Sequence, residues 1–211
     1  MTPDSVTGAI RYDLRLIADM VEPGARVLDV GCGDGALLAH LRDTRDVDGR
    51  GIELSMAGVR AAVSRGLPVI QGDADTDLLD YPSNSFDYAI LSQTLQATER
   101  PREVLENLLR IAKHAIVSIP NFAHWRGRWQ LVVHGRMPVS DYLPFEWWNT
   151  PNIHFCTLRD FRQLCRDMAL HVDRGLALDE KGRPQRFAAD SSLANLLSAQ
   201  AVFLLSKDQA P

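Results

Sequence analysis

At 211 residues, with 45% apolar and 24% charged side chains, the chain has the makeup of one globular domain that buries a core without disulfides or a structural metal. Lys and Arg number 23 against 27 Asp and Glu, a formal net charge of -4. That balance argues against a protein that tracks nucleic-acid phosphates, whose affinity comes from cationic side chains displacing counterions, and points to a small ligand.

The first residues, Met1 to Gly8, lack the basic and apolar regions of a secretory signal. No apolar run approaches the ~20 residues that span a bilayer, so a cytoplasmic protein without a membrane partner is expected. Ile10, Leu14, Ile17 and Val21 recur at steps of four and three, which predicts an amphipathic helix ending near Pro23-Gly24, over the ligand site or the sheet edge. Short β-type runs then alternate with helical patterns. Strands are predicted at Arg26–Val30, Gly49–Glu53, Pro68–Gln71, Phe86–Leu91 and Ala115–Ile119, and helices at Ala36–Arg42, Ser55–Ser64 and Arg102–Lys113. This alternation predicts an α/β fold with a parallel sheet covered on both faces. A helix at Leu158–Met168, a strand near His171–Leu178, a polar stretch Asp179–Pro184 and a closing strand Ala199–Ser206 predict an antiparallel hairpin at one sheet edge. The whole chain, 1–211, reads as one domain. Residues 121–157, rich in aromatics, His and Pro, form an insertion or lid after the fifth strand, too long for a plain connection.

Val27-Leu-Asp-Val30 runs into Gly31-Cys-Gly-Asp-Gly35 and then a helix, the setting in which a glycine loop lets a ligand touch backbone. With Ala36 the loop also satisfies the dinucleotide pattern, so an NAD site competes. A pyrophosphate wants bare N–H groups and no anions nearby. Here Asp29 precedes the loop and Asp34 lies inside it. S-adenosylmethionine (SAM) carries an ammonium and a sulfonium and no phosphate, so the acids favour SAM or S-adenosylhomocysteine (SAH). Glu53, ending the second strand beside Leu54, suits a ribose diol. Asp73, with Ala74, suits the adenine, while Asp75 is a rival for that role or a helix cap. Ser92 and Gln93, at the carboxyl end of the fourth strand, border the cofactor. The expected cofactor contacts are therefore Asp29, Gly31, Cys32, Gly33, Asp34, Gly35, Glu53, Leu54, Asp73, Ala74, Ser92 and Gln93.

Cys32, Cys156 and Cys165 form no CxxC pair, so no zinc or disulfide framework is expected, and Cys32 reads as a small residue filling a tight turn. No Asn/Asp-Pro-Pro-aromatic or Pro-Cys motif follows the fourth strand, which argues against methylation of nucleic-acid bases. His124, Tyr142 and His154 are the candidates for proton transfer or acceptor binding at the pocket mouth. The interleaved His124-Trp-Arg-Gly-Arg-Trp129 and the pair Trp147-Trp148 suit a partner surface or a lid.

The order of these motifs resembles the class I SAM-dependent methyltransferases, which implies a Rossmann-like sheet of about seven strands with an antiparallel last strand. Leu28-Asp-Val-Gly-Cys-Gly-Asp-Gly35, Leu91-Ser-Gln-Thr-Leu-Gln96, Ile119-Pro-Asn-Phe122, Gly135-Arg-Met-Pro138 and Thr150-Pro-Asn-Ile-His154 resemble the methionine biosynthesis protein MetW family. Asp73-Ala-Asp75 departs from the Asp-Leu-Asp expected there. The resemblance implies a SAM-fold accessory or regulatory protein of methionine synthesis, working beside homoserine O-acyltransferase (acetyl or succinyl) as its partner. The alternative is an active methyltransferase on a small molecule. Catalytic residues are left unassigned.

Overall fold

The computed structural model describes residues 10–140 and 142–207. Seven strands make one sheet: β1 Arg26–Val30, β2 Asp48–Glu53, β3 Val69–Gln71, β4 Phe86–Ser92, β5 Ala112–Pro120, β6 Leu170–Leu178 and β7 Gln200–Lys207. Their order is β3-β2-β1-β4-β5-β7-β6. Pairings from β3 through β5 are parallel, whereas β7 runs antiparallel to both neighbours, β5 and β6. The predicted terminal hairpin thus takes the form of β7 inserted beside β5 with β6 as the edge. A long segment containing helix α7, Ser192–Leu197, joins the two.

Alternation along the strands explains the layering. Val27, Tyr88, Ile90 and Ile116 point into a cluster under α1 (Tyr12–Ala18), α2 (Ala36–Arg45) and α3 (Met56–Ser64). Leu28, Ala89, Leu91 and Val117 point the other way, against α4 (Pro101–Ile111) and α6 (Leu158–Asp167). A strand buried on both faces requires apolar residues on each of them, which Tyr88–Leu91 of β4 and Ala115–Val117 of β5 supply. Helix α4 passes into β5 without a loop, so β5 begins three residues earlier than the pattern of Ala115–Ile119 predicts.

Between β5 and α6, residues 121–157 contain one further helix, α5 (Trp125–His134), of which only Gly127 is buried. Asn121 fastens the start of this segment: its Nδ2 donates to the carbonyls of Asn195 (3.0 Å) and Ser198 (2.8 Å), and its Oδ1 accepts from Ala123 N–H (3.0 Å). Further on, the N–H groups of Ile153 and His154 both donate to the Gln96 carbonyl, at 2.9 and 3.0 Å, pinning the strap to the turn after β4. Among the described residues, no helix is long and apolar enough to cross a membrane.

Candidate functional site

The carboxyl ends of β1, β2 and β4 converge at the glycine loop. The N–H groups of Gly31 and Cys32 both donate to the Ile52 carbonyl (2.8 and 3.1 Å), which draws the loop against β2. Gly31 has φ +73°, and a Cβ there would stand 2.6 Å from Thr94 Oγ1, so its lack of a side chain serves close packing. Gly33 differs: at φ +57° a Cβ would meet no heavy atom within 4 Å. The space in front of Gly33 is open, as a ligand approaching bare backbone requires. Gly35 ends the loop against Ala62 and Leu67, fixing the start of α2.

Three acids surround this loop, and the structure separates their roles. Asp29, 2% exposed, accepts no hydrogen bond from the described residues; burial, aided by the charge of Glu53, pushes its pKa up to about 7. Glu53 bridges the two strand ends, accepting from Gly33 N–H (2.8 Å, Oε2) and Ser55 N–H (2.9 Å, Oε1). A carboxylate has about four acceptor positions, so two remain for hydroxyl donors. Asp34 faces elsewhere: Oδ2 is paired with Arg65 at 2.7 Å and Oδ1 accepts from Ala36 N–H at 3.2 Å. Its charge is therefore already answered, and the acidic character left for a ligand comes from Asp29 and Glu53.

Asp75 and Asp73 likewise divide. Asp75 accepts from the N–H groups of Glu99 (2.8 Å) and Arg100 (2.9 Å) at the entry to α4, which is helix-end work. The Asp73 carboxylate accepts, among the described residues, only from Asp75 N–H (2.9 Å, Oδ1), leaving Oδ2 available. Leu54 is 65% exposed beside Glu53, an uncovered apolar side chain suited to a flat ring. Ala74 packs partly on the core below.

At the end of β4, Ser92 Oγ lies 3.2 Å from Ser118 Oγ. Gln93 adopts φ +56° and is held there by N–H bonds to Ser118 O and Oγ, both 3.0 Å. Its Nε2 donates to Gln200 Oε1 at 2.7 Å, across the end of β5. Behind Gln93 opens a cavity of about 580 Å³, walled by the start of α1, the strap and the 180–182 turn. The glycine loop does not line it.

Of the insertion candidates, His124 and Tyr142 come together with ring centres 5.4 Å apart, and Tyr142 lines the cavity. His124 is buried behind it, and burial lowers its pKa. His154 sits apart, its Nε2 3.3 Å from the Glu99 carbonyl oxygen. Burial pushes the Cys32 thiol up to about 12, with Asp29 adding to it, so at neutral pH it carries no thiolate. The described residues hold no group of three or more His, Cys, Asp and Glu arranged for a metal ion. Sequence reasoning passed over Arg11, Asp13, Lys181 and Gln200 at the cavity, which arrive from both ends of the chain.

Fold and loop together define a class I SAM-methyltransferase-like protein. The solved structures with this architecture include the complex between the Haloferax volcanii Trm112 methyltransferase activator and the putative methyltransferase (TM-score 0.65, 18% identity, covering 94% of this chain and 91% of that one). The [4+2]-cyclase SpnF gives TM-score 0.67 at 19% identity, covering 98% and 86%. Magnesium protoporphyrin IX methyltransferase from Synechocystis PCC 6803 with bound SAH gives 0.62 at 17%, covering 93% and 80%.

Residues 11–205 match the family model of the methionine biosynthesis protein MetW, and the chain belongs to that family. It is 37% identical over 186 residues to the bifunctional methionine biosynthesis protein MetXA/MetW of Rhodopirellula baltica, covering 84% of this chain and 30% of that protein. Demethylmenaquinone methyltransferase of Renibacterium salmoninarum is 34% identical over 109 residues, covering 50% and 45%. The chain thus spans less than half the length of either curated relative.

Proposed function

We propose that this protein binds SAM or SAH at the glycine loop and acts as an accessory or regulatory partner of homoserine O-acyltransferase, acetyl or succinyl, in methionine synthesis. SAM bound there would supply an activated methyl group on a sulfonium, and SAH the same frame without it. In this reading Asp29 takes up the ligand's positive charge, the open acceptor positions of Glu53 take the ribose hydroxyls, Asp73 Oδ2 takes the adenine amino group, and Leu54 covers its face. A pyrophosphate in place of the cation would confront an unpartnered buried carboxylate, which counts against NAD.

The observation that carries the association is the Rhodopirellula relative, which unites a MetW part with a MetXA part in one chain. A second feature supplies a surface for it. Trp129, Trp147 and Trp148 are 62, 68 and 66% exposed, and Val132 is 81% exposed. A groove of about 690 Å³, lined by Met137, Val139, Trp147 and Trp148, runs between the end of α5 and the strap. Two-thirds of three tryptophans is roughly 400 Å², about half of what one partner contributes to a stable interface. The test is co-purification with the acyltransferase, comparing the wild type with Trp147→Ala/Trp148→Ala. Loss of the complex with unchanged SAH affinity is expected; an undiminished complex removes this face from the proposal.

The cavity behind Gln93 favours a second reading, an active methyltransferase with its acceptor seated there. Labelled methyl transfer from SAM into a broad pool of cell metabolites tests it, and no transfer across the pool counts against it.

A further inference from the structure

We infer that the cavity behind Gln93 is a ligand site in its own right, beside the cofactor loop, for a small carboxylate that also carries a hydrogen-bond donor, an α-amino acid being the simplest such molecule. The inference rests on the proposed cofactor position only in placing the two ligands side by side, and it holds whether or not a methyl group is transferred between them.

Volume and shape come first. About 580 Å³ lies within the ~300–1,000 Å³ typical of small-molecule sites. The cavity sits at the carboxyl ends of β4 and β5, where open α/β sheets bind ligands. Gln93, Gln96 and Gln200 give it an amide lining. The left-handed backbone of Gln93 is a strain that the two bonds to Ser118 sustain, and it aims the side chain at Gln200.

Gln96 supplies the donor requirement. It is 5% exposed, and its Nε2 donates to the Gln93 carbonyl at 2.6 Å, which fixes the orientation of the amide. Its Oε1 then has no hydrogen-bond partner among the described residues. A buried acceptor without a partner is costly, and an N–H or O–H of a ligand, placed with a small shift of the amide, answers it.

Charge supplies the other half. The two carboxylates among the described lining residues are already matched: Asp13 by Arg11 (2.7 and 3.1 Å) and Glu180 by Arg126 (2.7 and 2.8 Å). Lys181 enters no ion pair among the described residues. Its turn is fixed: Asp179 Oδ1 accepts from the N–H groups of Lys181 (2.8 Å) and Arg183 (2.9 Å), and Gly182 rests against Asp13 at the start of α1. Among the described residues the cavity therefore carries one unanswered positive charge, with the carboxylates of Asp13 and Glu180 also in its wall. A ligand with one carboxylate and one N–H donor, the ammonium of an α-amino acid included, satisfies both the Lys181 ammonium and Gln96.

Calorimetry on the full chain saturated with SAH tests this, using L-norvaline, pentanoate (no amine) and butylamine (no carboxylate) as probes. Norvaline is expected to bind, each truncated probe at least tenfold more weakly. Lys181→Met, on an exposed turn, is expected to weaken norvaline about tenfold and leave SAH unchanged; Gln200→Leu is a second variant should the first fail to fold. Three results overturn the inference: no norvaline binding with or without SAH, unchanged norvaline affinity in folded variants, or competition between norvaline and SAH, which would mean the cavity holds only the cofactor's own amino-acid end. A protein that binds norvaline but no SAH would overturn the cofactor proposal and leave this one standing.

Discussion

Asp29 offers the sharpest test of the proposed cofactor site, because its carboxyl is buried, accepts no hydrogen bond from the described residues and is held at about 7. Moving it there from the ordinary 3.8 corresponds to roughly 4 kcal/mol of disfavour for the ionised form in the fold. The sign follows from linkage. An acid raised in the folded state costs stability as pH climbs from about 4 to about 7, and the full cost is present above 7. A ligand ammonium beside Asp29 reverses the preference, since it favours the carboxylate. Binding then requires the ionised form, and affinity grows about tenfold per pH unit below 7 before levelling. Between pH 5.5 and 7.5 the gain for SAH should be about twenty-fold. Calorimetry across that range, in buffers of different ionisation enthalpy, should also show release of close to one proton near pH 6. Asp29→Asn, equal in size and without charge, should bind more weakly at pH 7.5 and lose the slope. A flat wild-type profile, or the same slope in Asp29→Asn, would refute the role assigned to this carboxylate.

Gly33→Ala should cut SAH affinity strongly while lowering the melting temperature only modestly, since its Cβ meets nothing within 4 Å and the left-handed backbone costs ~1–2 kcal/mol. Gly31→Ala, driven into Thr94, should instead show its main effect in thermal denaturation. Asp75→Ala should remove two backbone bonds at the entry to α4 and cost ~1–2 kcal/mol, a fall in melting temperature of roughly 2–8 °C, with SAH affinity unchanged. Asp73→Ala should show the reverse, weaker SAH binding on a fold of near-wild-type stability. Cys32, with its thiol at about 12, should resist iodoacetamide at pH 8 in the folded protein and react once it is unfolded.

What could be read in the chain was whatever local pattern decides. Strand β1 occupies Arg26–Val30 as predicted, because a run buried on both faces and closed by a glycine loop leaves no other assignment. The helix α5 is different. Its apolar residues Trp125, Trp129, Leu131, Val132 and Val133 are all exposed, so no single face is buried and no helical period marks it. The six residues of α7 are too few for periodicity, and the cap at Ser191, accepting from Ala194 N–H, is its one local signal. The site divides the same way. That Asp73 or Asp75 would be a cap was legible; which one depends on where the chain returns 24 residues later. The Gln93–Gln200 pair spans 107 residues, and no spacing announces it.

The same long-range pairing changes the argument about charge. In sequence, Asp34 looks like an acid offered to a cationic ligand, yet Arg65, arriving from the end of α3, neutralises it. The case for a cation then depends on Asp29, and it is stronger for being narrower. A solvated acid near a loop is compatible with many ligands, whereas a buried carboxylate whose pKa burial has raised is a standing cost that a ligand cation relieves and a pyrophosphate worsens. Methyl transfer is a separate matter. The same architecture carries a [4+2]-cyclase as well as a methyltransferase, so the fold does not select the chemistry. In the proposed reading that choice falls to whatever occupies the cavity at the end of β4, where the charge on Lys181 and a Gln96 acceptor without a partner among the described residues set the terms.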